Sequence, residues 1–166
     1  MQLKSPISYR YHFIMLPSAR KHHTIFFSLG HCQVPCGILN DPKLVAELKE
    51  ACATIRKAME QINELTGAGL TAQSINQITR WVNTKEEHAK KIIDLVANYC
   101  LCQRMKPAGE LGSPFTTAKD YMDALKAHHK VMTAAMKSKQ SVDLSAADAL
   151  EHTVGDMVKM YMPAKL

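Results

Sequence analysis

The 166-residue chain has no segment long and apolar enough to span a bilayer. Its longest apolar run, Thr24 to Leu29, is far short of the roughly 20 residues a membrane helix needs. A soluble protein with no membrane partner is expected. No stretch alternates polar and apolar residues as a half-buried strand would, so a β architecture is not expected. Acidic residues are missing from positions 1–30, which carry Lys4, Arg10, Arg20 and Lys21. Taking those four from the 21 basic residues leaves 17 against 15 acidic ones, so most of the net charge of +6 belongs to this stretch. The basic balance therefore does not imply a nucleic-acid partner, although the weakly positive remainder suits a small anion. The five cysteines, Cys32, Cys36, Cys52, Cys100 and Cys102, are odd in number, and two of them sit in helical patterns as small apolar residues would. That count argues against a disulfide scaffold and leaves thiol or metal chemistry open.

Residues 1–30 mix prolines, scattered aromatics and basic residues without a helical or strand period, and read as a leader to be cleaved. They lack the charged start, apolar middle and small-residue cleavage site of a secretory signal. The cytoplasm is the expected compartment. Two features point instead to an organelle: the acid-free, hydroxylated leader is similar to a transit peptide, and Ala164-Lys165-Leu166 is similar to a peroxisomal ending.

Residues 31–166 form the domain, with an irregular segment at 31–39 followed by four helices over about 41–162. In the first, Asn40 or Asp41 can cap and Pro42 suits the first turn. Leu44, Leu48, Ile55, Met59 and Ile62 then recur at helical spacing to about Leu65. Thr71 can cap a second, longer helix carrying Ile75, Ile78, Val82, Ala89, Ile92, Val96 and Tyr99 and ending before Pro107. Lys85, Glu86, Lys90 and Lys91 form its solvated face. Thr116 or Thr117 opens a third helix with Tyr121, Leu125, Met132 and Met136. A fourth, from about Ser145, carries Leu150, Val154, Met157 and Tyr161 before Pro163. This pattern predicts an all-α, antiparallel four-helix bundle preceded by a metal-binding hook. The ten methionines are expected to be adaptable core filler. Cys100 and Cys102 fall on different sides of their helix, and His128-His129 on a half-buried one.

The segment His31-Cys32-Gln33-Val34-Pro35-Cys36-Gly37 lies outside the helices. A Cys-x3-Cys pair alone fits zinc, copper(I), redox or structural uses. Cleavage before His31 would change its backbone nitrogen into a free amine. That amine, the deprotonated amide of Cys32 and the Cys32 thiolate close two adjacent five-membered chelate rings, and the Cys36 thiolate completes a square plane. Such a donor set suits Ni(II) or Cu(II) better than Zn(II), with the His31 imidazole near enough to approach axially. Pro35 and Gly37 shape the turn.

These residues resemble the nickel superoxide dismutases, whose mature N-terminus reads His-Cys-x-x-Pro-Cys-Gly-x-Tyr. The likeness extends to Asp41-Pro42, to Lys85-Glu86-Glu87-His88-Ala89 and to Lys106-Pro107, and covers roughly residues 31–163. The resemblance implies a homohexamer of four-helix bundles, each with one nickel ion, converting superoxide to oxygen and hydrogen peroxide by Ni(III)/Ni(II) cycling. It implies His31, Cys32 and Cys36 as catalytic ligands, removal of residues 1–30 by a processing protease, and a nickel-delivery factor. It also implies that Glu47 orients the His31 imidazole from outside the ligand shell. Two departures stand out: Leu39 replaces the motif's tyrosine, and His88, which also reads as an ordinary helix-face histidine, stands where family members can have an arginine associated with the axial histidine. Two other functions compete, a non-catalytic nickel or copper carrier and a helical interaction module that keeps its leader.

Overall fold

Pro42, with no amide hydrogen to leave unpaired, opens helix α1 (Pro42–Gly67) in the computed structural model, which describes residues 41–161. Leu44, Leu48, Ile55, Met59 and Ile62 share one face and all are buried, as their spacing predicts. Gly69 turns the chain with a φ of 99°, a conformation that favours glycine. Thr71 then caps α2 (Ala72–Asp94) through a reciprocal pair: its hydroxyl accepts from the Ser74 amide, and the Ser74 hydroxyl accepts from the Thr71 amide. Instead of continuing as an α-helix toward Pro107, the chain widens into a π-helical segment, Leu95–Arg104. Thr117, rather than Thr116, caps α3 (Ala118–Gln140) by accepting from the Asp120 amide, and Asp143 caps α4 (Leu144–Val158) by accepting from the Ser145 amide.

Helices α1 and α3 each lie against both α2 and α4. With links as short as 68–71 and 141–143, this is the expected antiparallel four-helix bundle. Leu44, Leu48, Ile55, Met59, Ile92, Leu150 and Met157 fill its centre, each fully buried. Each such side chain contributes about 1.5–3 kcal/mol through removal from water.

Two expected faces are corrected. On α2, Ala89, Ile92, Val96 and Tyr99 are buried, but Ile75 is 52% exposed and Ile78 and Val82 are only half-buried. The cause is where α3 stops. Lys85, expected in solvent, is buried, and its ammonium donates to the Ser138 carbonyl at 2.9 Å and to the Lys139 carbonyl. It thereby satisfies carbonyls at the end of α3 that have no intrahelical donor and sits at the negative end of that helix. The turns of α2 before Lys85 run past this end and lose cover. On α3, the core-facing series is Ala124, His128, Val131, Ala135 and Ser138, whereas Tyr121, Leu125 and Met132 are half-buried and Met136 is exposed. Small residues there let α3 approach closely, and the larger side chains flank the contact. The methionines divide likewise: Met59, Met105 and Met157 fill the core, while Met122, Met136 and Met160 are exposed.

Removing the Lys85 ammonium leaves the end of α3 without its donor. Lys85→Met is expected to cost about 1–3 kcal/mol in urea unfolding, and an unchanged midpoint would show that the cap contributes nothing. Cys52 and Cys100 are core side chains, whose thiols burial pushes up to about 12 and about 11, Glu151 adding to the effect at Cys52. Cys102 is exposed. A short iodoacetamide treatment of the folded protein at pH 8 should therefore label Cys102 and spare Cys52 and Cys100 in peptide mapping; equal labelling of all three would contradict this packing.

Candidate metal centre

The expected ligands His31, Cys32 and Cys36, and Leu39 beside them, lie outside the described residues, as does Asn40. Among the described residues, no group of three or more His, Cys, Asp or Glu side chains could hold a metal ion. Asp41 is the described residue nearest to the hook in sequence. Its backbone occupies the N-cap position of α1, yet its side chain makes no capping bond, contrary to the expectation from sequence. The carboxylate is buried, with 1% of the residue exposed. The Tyr99 hydroxyl donates to Oδ1. Arg104 Nε lies 3.3 Å from Oδ2, a contact that is ionic and lacks hydrogen-bond geometry. Burial, reinforced by the bond to Asp41 and by its charge, pushes the Tyr99 phenol well above its ordinary value.

The π-helical segment makes this pairing possible. Residues five apart stand about 140° apart around an α-helix of 3.6 residues per turn. The i→i+5 bonding of a π-helix, seen where the Met105 amide donates to the Cys100 carbonyl at 3.0 Å, brings such residues back to one side. Tyr99 and Arg104 have this separation, and both meet Asp41.

A second buried group adjoins the first. His128, expected to be half-buried, is fully buried. Its Nδ1 donates to the Ala124 carbonyl at 2.7 Å, so Nε2 accepts from the Tyr161 hydroxyl at 2.5 Å. Burial lowers the His128 pKa, which keeps the imidazole neutral. The Tyr161 hydroxyl also contacts the Cys100 thiol. His129, next in sequence, is exposed. Beside these groups opens a cavity of about 470 Å³, whose lining includes Arg104, Met105, Lys106, Ser113, Phe115 and Tyr161. Its described lining contains two cations and no acid; Asp41 behind the wall offsets Arg104, and the charge of Lys106 remains to favour small anions.

The structure gives Glu47 and His88 separate partners, the first across to α2 and the second within α2. Glu47 Oε2 lies 3.9 Å from the Lys91 ammonium. His88 Nδ1 donates to the Thr84 carbonyl at 2.9 Å within its own helix. Tyr99, Arg104 and Tyr161 were not anticipated as a polar group. Tyr99 and Tyr161 fitted the apolar series, and the one available signal was the hydroxyl that a buried tyrosine must satisfy.

No curated protein and no solved structure matches the chain. Residues 27–165, most of its length, match the nickel-containing superoxide dismutase family. The span of that match, together with the four-helix bundle, establishes that the chain belongs to the nickel-containing superoxide dismutases.

Proposed function

We propose that the nickel of this superoxide dismutase is held by a hook formed when the bond between Gly30 and His31 is cut. Family membership makes nickel the cofactor and superoxide the substrate. The carrying observation is the motif itself: His31, Cys32 and Cys36 supply two thiols, an imidazole and, after cleavage, a terminal amine. Nitrogen and thiolate donors suit nickel, and the anionic ones stabilise its higher oxidation state. The family match begins at residue 27, close to the proposed cut.

When bound, the nickel supplies a Ni(III)/Ni(II) couple that oxidises one superoxide to oxygen and reduces a second, with two protons, to hydrogen peroxide. The protein holds the ligands and gathers the anion. Lys106, on the cavity wall beside the Asp41-paired Arg104, provides the positive potential that draws superoxide inward. Glu47 keeps Oε1 without a partner among the described residues, available to accept from the His31 imidazole and fix its orientation. His88, committed through Nδ1 to Thr84, retains Nε2 for the same neighbourhood. A homohexamer is part of this reading, and the uncovered Ile75, with half-buried Ile78 and Val82, offers apolar surface for another copy. A protease must make the cut, and a delivery factor can supply the metal.

N-terminal sequencing and metal analysis of protein from its native host should give a chain starting at His31 with one nickel per subunit. A mature chain starting elsewhere, or one carrying stoichiometric zinc, overturns the hook. Leu39 lacks the hydroxyl that the family's tyrosine offers to solvent and anion near the metal. Leu39→Tyr in the processed protein should raise turnover about tenfold in a pulse-radiolysis assay. An unchanged rate would show that this hydroxyl has no role here.

A further inference from the structure

Asp41 forgoes the capping bond open to it and buries its carboxylate against two residues 58 and 63 positions later in the chain. Burying a carboxylate costs several kcal/mol before its partners compensate, and a solvent-exposed cap at the same position would avoid that cost. The cluster also depends on a π-helical turn to align Tyr99 with Arg104. Its placement supplies a reason. Cys36 is five residues from Asp41. Five residues of extended chain reach at most about 18 Å, so fixing Asp41 limits where that thiolate can lie.

From this we infer that Asp41, Tyr99 and Arg104 form an anchor that sets the position of the nickel hook on the bundle, making them positioning residues for the metal ligands. The inference rests on the hook reading above. Tyr99 and Arg104 fix the last residue before α1 in two directions, through a hydrogen bond to one carboxylate oxygen and an ion pair to the other. Arg104 also lines the cavity, so the residue that holds the hook's base helps to form the wall beside it. Loss of the anchor should leave the ligands chemically intact while letting the segment between Cys36 and Pro42 sample more positions. The predicted fault is therefore faster metal loss and a more heterogeneous nickel environment.

The test uses protein processed to His31 and loaded with nickel, in wild-type form and as Asp41→Asn, Tyr99→Phe and Lys85→Met. Tyr99→Phe removes one hydroxyl and keeps the ring, so it tests the anchor even if Asp41→Asn does not fold. Lys85→Met loosens the bundle without touching the anchor. Nickel release to excess EDTA is followed by loss of thiolate-to-nickel absorption, the Ni(III) signal by electron paramagnetic resonance, and helix content by circular dichroism. Asp41→Asn and Tyr99→Phe should release nickel about tenfold faster and broaden the Ni(III) signal at unchanged helix content, while Lys85→Met releases it at the wild-type rate. Wild-type release from both anchor variants, or equally fast release from Lys85→Met, overturns the inference and leaves the hook standing. Failure of the wild type to take up nickel overturns the hook and, with it, the anchor.

Discussion

The buried carboxylate of Asp41 joins parts of this molecule that sequence order keeps far apart. One side is the start of α1, directly after the cysteine-containing segment, and the other is the end of the long second helix. Such a group is tolerated only when its charge and lone pairs are matched, and removing either partner exposes the desolvation cost that the pair offsets. The chain matches the charge with a guanidinium and one oxygen with a hydroxyl, both on a single wide turn, and leaves the other oxygen with an ionic contact alone. The same end of the bundle holds the buried His128–Tyr161 pair and the cavity lined by Arg104 and Lys106. The buried polar residues thus divide between the two ends: Asp41 and His128 lie toward the beginning of α1, and Ser74, Lys85 and Ser138 lie toward the opposite end, where Thr71 and Lys85 cap helices.

Helix boundaries and much of the core were legible in the sequence because they depend on local rules. Pro42, Thr71 and Thr117 mark helix starts through missing or satisfied amides, and the spacing of Leu44, Leu48, Ile55 and Met59 defines a buried face from within α1 alone. Features that depend on how one helix ends against another were not legible. The burial of Lys85 and the exposure of Ile75 both follow from where α3 stops beside α2, which no property of the α2 sequence encodes. On α3, alanine, histidine and serine form the core stripe, while methionine and tyrosine flank it. A reading weighted toward large apolar residues picks the wrong side of such a helix.

The metal motif was legible for a different reason, since its chemistry resides in residue types and short spacing. In the proposed hook, His31, Cys32 and Cys36 would carry the donors in one stretch of chain, and the family match makes nickel the metal. Its surroundings required tertiary structure. Tyr99 and Arg104 look like an ordinary apolar position and an ordinary surface cation until the π-helical turn sets both against Asp41. Glu47 and His88, selected by resemblance, prove to have partners of their own in Lys91 and Thr84.

The distribution of thiols follows the same division between bundle and hook. A thiol binds metal and reacts with peroxide mainly as thiolate. Cys52 and Cys100, held up at about 12 and about 11, are almost entirely protonated near neutral pH. They can therefore pack as small apolar groups without competing for nickel, and they resist the hydrogen peroxide that this family's reaction generates. A core lined with low-pKa thiols would offer alternative metal sites and oxidise with each burst of product. Burial raises the thiol pKa because the low-dielectric interior disfavours the thiolate, so the packing that stabilises the bundle also keeps its cysteines out of the redox chemistry. In the proposed hook Cys32 and Cys36 must do the opposite and bind as thiolates, a state that burial in the bundle would oppose.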